Sequence, residues 1–233
     1  RLMLHPQGLA SHPAFQVAGR PVFDGREVFW DSNSQGGIMG TALMAIGPDI
    51  RRGVLGVPGI NYSVLLPRSV DWDVYARIFN PAYPNEDDRP LALAVTQMLW
   101  DRGDGNGYVH RLTDDPPPNT PRHTVLVHPV NGDHQVTNWQ ADVLARAAGI
   151  PVRRPSLARN RTPERTPQWG IPSIPRFPHA GSAMVYWDPG ADFTGTNPVT
   201  NTPPRSGKDS HYAARTSPVA RLQKAEFLKI GGA

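Results

Sequence analysis

Val28-Phe29-Trp30-Asp31-Ser32-Asn33-Ser34-Gln35-Gly36-Gly37-Ile38-Met39-Gly40 is the stretch that decides how this chain is read. It begins as an apolar, β-favouring run and reaches a serine with small residues two positions before and after it, Ser32 and Gly36. A Gly- and Ala-rich helical segment follows. The pattern predicts a strand-to-helix turn so tight that a bulky side chain at either flank would strike the backbone. Small flanking residues relieve that clash and leave the Ser34 hydroxyl exposed at the top of the sheet. The helix behind it points its N-terminus, with its free amides, at any negative charge that develops there.

Working outward, four runs read as short strands: residues 27–31, 53–57, 123–128 and 182–187. All are nearly continuous in apolar character, which suits strands covered on both faces of a parallel sheet. Helical patterns fall between and after them at 37–46, 89–100, 138–148 and 218–229. The third begins with a plausible cap, and the last places Val219, Leu222, Phe227 and Leu228 near one face. Strands alternating with helices predict an α/β fold with right-handed crossovers. Residues 1–4 read as a helix-like start.

Two segments break the rhythm within what otherwise reads as a single domain over 1–233. Residues 58–86 hold Trp72, Tyr75, Phe79 and Tyr83 among prolines and acids, as a lid or pocket wall would. Residues 151–208 are rich in Pro, Arg, Thr and Ser and read as long loops around the last strand. With 26 Pro and 22 Gly in 233 residues, the chain has more loop than an ordinary domain. No internal repeat is visible, and no apolar stretch is long enough to span a bilayer.

Composition removes several function classes. Without cysteine there is no disulfide, thiolate nucleophile or Cys-ligated metal. Cysteine absence suits a reducing or an oxidising compartment, so cytoplasmic and secreted locations both stay open. The net charge of +4 comes from 24 basic and 20 acidic residues. The basic residues cluster only at Arg153, Arg154, Arg159, Arg161 and Arg165, with Trp169 the one aromatic nearby. Nucleic-acid binding would need interleaved aromatics and a recognisable module, and neither is present. His123, His128 and His134 beside Asp133 suggest a metal site, but His123 and His128 differ in strand parity and point to opposite faces. Asp101, Asp104 and Asn106 among glycines resemble a calcium loop that lacks its closing bidentate Glu. A solvated turn is the simpler expectation there.

A serine hydroxyl needs a base to take its proton, and the base needs an acid to orient it. Of eight histidines, His211 lies between the last strand and the C-terminal helix, in Gly207-Lys208-Asp209-Ser210-His211-Tyr212. Asp133 follows the third strand, in Gly132-Asp133-His134-Gln135-Val136. Asp101, Asp104, Asp188 and Asp209 compete with it for the acid's place. Asp209 reads as a residue that shapes the His211 loop.

The order Ser34, Asp133, His211 is the nucleophile–acid–base order of the α/β-hydrolases. Together with the serine turn, Val54-Leu55-Gly56-Val57-Pro58-Gly59 and Asp209-Ser210-His211, it makes the chain resemble the C-terminal half of a large bacterial α/β-hydrolase family. The resemblance implies a Ser-Asp-His serine hydrolase that cleaves a carboxylic ester or related acyl bond, small or polymeric, through an acyl-enzyme. Ser34 would be the nucleophile, His211 the base and Asp133 its orienting carboxylate, with the Gln35 amide as an oxyanion donor. Pocket candidates are Met39, Tyr62, Trp72 and Phe79. No cofactor and no metal are implied.

The chain departs from that family in one respect. Whole α/β-hydrolases carry several strands before the nucleophile, and a loop among them supplies the second oxyanion amide. The expectation is therefore that a missing N-terminal half, or a partner chain, pairs the edge at 27–31. On its own, the chain should then aggregate or lack activity. Two other functions stay open: a non-catalytic binding or assembly subunit on a hydrolase scaffold, and an acyltransferase.

Overall fold

The computed structural model describes residues 2, 5–23, 27–193 and 201–229. Of the helix-like start expected at 1–4, only Leu2 falls within them, in a turn. A two-stranded antiparallel ribbon, β1 (Gln16–Val17) with β2 (Arg20–Pro21), precedes the main body. Then come β3 (Val28–Asn33), α1 (Gln35–Ile46), β4 (Ile50–Gly56), α2 (Tyr62–Leu65), α3 (Trp72–Ala82) and α4 (Asp88–Trp100). The rest is β5 (Thr124–His128), α5 (Asn138–Ala147), β6 (Ala183–Met184), α6 (Ala213–Thr216) and α7 (Pro218–Leu228).

The architecture is α/β, with a four-stranded parallel sheet in the order β3-β4-β5-β6. Consecutive strands are neighbours, joined by crossovers that carry the helices. Strand side chains alternate between two cores. On one face Leu55, Val125, Val127 and Met184 pack with Met44 of α1 and Leu144 of α5. On the other, Val54, Leu126 and Ala183 meet Phe227 of α7. The continuous apolar runs in the sequence follow from this double cover. α7 is fixed at both ends: the Ser217 hydroxyl accepts from the Ala220 amide, and the Arg52 guanidinium donates to the carbonyls of Phe227 and Lys229.

The strand expected at 182–187 is shorter than its apolar run. Two residues pair regularly, and the chain then continues beside β5 through single bonds, Val185 N to Val127 O and Trp187 N to Pro129 O. Pro129 lacks an N–H, so the ladder is interrupted there and resumes only as an isolated bridge between Val130 and Trp187, with the Asn131 amide donating to Trp187 O. The larger difference lies in 58–86, where the aromatic insertion is largely helical. Trp72, Tyr75 and Phe79 fall on one stripe of α3, and Pro81 sits in its last turn.

At the opposite edge β3 pairs only with β4, and no described strand lies along its other side. α1 behind it is apolar all round. One side is buried, whereas Met39, Leu43 and Ile46 are exposed at helical spacing. Among the described residues no helix is long and apolar enough to cross a membrane.

Candidate active site

Ser34 sits between β3 and α1 with φ 60° and ψ −126°. A non-glycine residue at positive φ costs on the order of 1–3 kcal/mol and needs surroundings that hold it there. Those surroundings are backbone: the Ser34 amide donates to Gly56 O, and its carbonyl accepts from Gly37 and Ile38. The flanking small residues are needed for clearance. A Cβ on Gly36 would stand 3.2 Å from that of Ser32, and one on Gly37 would stand 2.6 Å from Gly56 O. The side chain is left half-exposed at the C-terminal edge of the sheet, where open α/β sheets place their sites. The Gln35 amide, first in α1, donates to no described residue.

The same edge carries Asp133, after β5, and His211, after β6. His211 Nδ1 lies 2.9 Å and 3.0 Å from the two Asp133 carboxylate oxygens, and both residues are buried. A ring nitrogen facing only carboxylate oxygens must donate, which leaves Nε2 as the basic atom. Asp133 Oδ1 also accepts from the amides of Gln135 and Val136. Asp209 closes the arrangement: its Oδ1 accepts from the amides of both His134 and His211, and its Oδ2 from the Gln135 side chain. The loop bearing the histidine is thereby stitched to the loop bearing its acid. Those donors hold the Asp209 carboxyl below the usual range against the opposing effect of burial.

Burial by itself would make the His211 imidazole harder to protonate. The hydrogen bond and charge of Asp133 outweigh it, with Asp209 and Asp71 contributing, and the net direction is upward. Burial also pushes the Asp133 carboxyl up, against the hydrogen bond and charge of His211 and the two amides. These two directions conflict, because a raised His211 presupposes an ionised Asp133. Three N–H donors converge on this carboxylate, so the raised His211 is the direction that holds.

No hydrogen bond joins Ser34 to His211 among the described residues. A cleft of about 670 Å³ opens beside Ser34, under α3 and α4. Ser34 and Gln35 form part of its lining, Trp72, Tyr75 and Phe79 supply one wall, and Tyr62 and Trp100 close the far side. Gln35 and Tyr62 also join side chain to side chain across it. No family model matches this chain. Neither a curated protein nor a solved structure matches it.

Among the expected pocket residues, Tyr62, Trp72 and Phe79 thus line the cleft, whereas Met39 does not and stands 43% exposed on the outer stripe of α1. Asp71 and Gln135 were not expected there. Asp71 had a visible signal, since it directly precedes an aromatic row at helical spacing. The Asp101–Asn106 turn serves the cleft from behind. Buried Asp104 accepts from the Tyr62 amide and from Gln97, whose Oε1 accepts from Ser63 N; Asp101 accepts from Gln97 and Asn106. This network fixes the wall bearing Tyr62. His123 spends its ring on the carbonyls of Leu112 and Gly47, and His128 on Gln223. Among the described residues no group of three or more His, Asp or Glu could hold a metal ion. In the basic cluster Arg161 pairs with Asp188, and Arg154 bonds Gln168 and Ile171.

Proposed function

We propose that this chain is the catalytic part of an α/β-hydrolase-type serine hydrolase that cleaves a carboxylic ester or related acyl bond. The observation that carries the proposal is the buried Asp133–His211 pair, which shares one sheet edge with a serine in a strained strand–helix turn. In this reading Ser34 Oγ attacks the carbonyl carbon as His211 Nε2 takes its proton. Asp133 holds the imidazole tautomer and stabilises the imidazolium. The oxyanion forms against the Gln35 amide and the N-terminus of α1. His211 returns the proton to the departing alcohol, and water, activated in the same way, releases the acid.

The open edge of β3 and the apolar stripe Met39, Leu43, Ile46 support a second part of the proposal. A further segment or partner chain pairs that edge and brings the second oxyanion donor. Loss of one such donor typically costs about 10²–10³ in turnover. The purified chain should therefore turn over a simple p-nitrophenyl ester slowly but measurably, and Ser34→Ala and His211→Ala should each remove that turnover. Turnover that survives Ser34→Ala would refute the assignment. The same open edge favours a non-catalytic assembly subunit as the second reading, which complete absence of turnover would select.

A further inference from the structure

The cleft above Ser34 has a chemistry of its own, apart from the reaction at its floor. Its walls are apolar, with Ile38, Leu65, Leu93 and Val136 buried among the lining residues, and among the described residues Asp71 supplies the one charged side chain. The aromatic wall is continuous. Trp72 packs on Tyr75 at 6.3 Å and on Phe79 at 5.4 Å, and Phe79 on Tyr83 at 4.8 Å. From Trp72 to Phe79 this row runs about 10 Å along α3, from the 1.5 Å rise per residue of a helix. The volume of about 670 Å³ lies in the range of sites that enclose a whole small-molecule ligand.

We infer that the substrate is a neutral ester carrying one extended apolar chain, laid along the aromatic row of α3 with its carbonyl at Ser34. The inference rests on the hydrolase reading for the carbonyl, but not for the chain. Burial of each methylene against such walls is favourable, so affinity should climb with chain length until the row is filled. A short or polar ester leaves the walls wet, and an anionic chain meets the Asp71 carboxylate. Trp72 and Phe79 are then specificity residues, because they touch the chain and not the reacting atoms.

Two measurements separate the inference from the reading beneath it. The first is kcat/KM on straight-chain p-nitrophenyl esters from two to sixteen carbons. The expected rise is at least 30-fold between two and twelve carbons, reduced at least tenfold for the long ester in Trp72→Ala and little changed for the short one. The second needs no turnover: in Ser34→Ala, a brominated sixteen-carbon methyl ester should quench tryptophan emission, and Trp72→Phe with Trp100→Phe should remove most of that quenching. Quenching without hydrolysis of any ester upholds the chain site and overturns the hydrolase reading. Hydrolysis with a flat or falling chain-length profile and no quenching overturns the chain site and leaves the hydrolase reading standing. Neither signal overturns both.

Discussion

The buried Asp133–His211 pair and the α3–α4 wall of the cleft are held in place differently. Asp133 and His211 are buried, and Asp209 ties their loops together through backbone amides. α3 has no buried residue at all, and Val74 and Ile78 are more than two-thirds exposed. α4 shows Leu91, Val95, Met98 and Leu99 to solvent along one stripe. Hydrogen bonds with fixed geometry suit a group that must present one nitrogen to one proton. Apolar contacts, which are non-directional, suit a wall that must fit a flexible chain. The one side resists change of position and the other tolerates it.

The largest expected break in this contrast comes from Asp133→Asn. An amide at this site leaves the fold in place but permits the wrong imidazole tautomer, so kcat should fall by about 10⁴. Circular dichroism should show unchanged secondary structure, and steady-state kinetics would read the loss. Asp209→Ala should cost less, about 10–100-fold, because it loosens the loop without removing the acid. It should also lower the pH at which activity appears. In the proposed reaction His211 must be neutral to act as base, so activity should be lost as pH falls through its pKa. That pKa lies above the ordinary 6.5 partly through the Asp209 charge. A pH–rate profile in which the acid limb of Asp209→Ala does not move would contradict the charge assignment.

Stability gives a smaller effect away from the chemistry. Burial lowers the His128 pKa from 6.5 to about 4, beyond what its Gln223 hydrogen bond restores. The unfolded chain then binds a proton over that window that the folded chain refuses, so stability falls as pH drops from 6.5 toward 4. This group's loss is about 2 kcal/mol at pH 5, opposed by the buried Asp142 carboxyl, which is pushed up to about 7 and gains a proton over the same window; His128→Gln should raise the urea midpoint at pH 5 relative to that at pH 7. The smallest effect belongs to the loose side. Ile78→Ser or Met98→Ser should change stability by less than about 0.5 kcal/mol in urea titrations, since neither is buried.

The parallel sheet is legible in the sequence because strands covered on both faces become continuous apolar runs, as in residues 123–128. The placement of Asp133 and His211 near each other is legible from chain order, since residues that follow adjacent parallel strands gather at one edge. Of the helices over the cleft, α4 is read at 89–100 but α3 is not, because Pro81 and Pro84 interrupt the segment that carries Trp72, Tyr75, Phe79 and Tyr83. Met39 is misplaced by sequence reasoning for a different reason. α1 is apolar on every side, so no periodicity marks which residues face the cleft. Asp209 is legible as a loop-shaping residue, but its bond to the His134 amide joins positions 75 apart, and no local pattern announces it.

The central claim is that Ser34 is the one nucleophile of the chain, activated through His211. Treating the purified chain with a small fluorophosphonate and mapping the adduct by peptide mass spectrometry tests this directly. The account predicts a single adduct on Ser34, absent in Ser34→Ala and formed at least a hundredfold more slowly in His211→Ala. An adduct on Ser32 or Ser210, or no adduct after prolonged exposure, would contradict it.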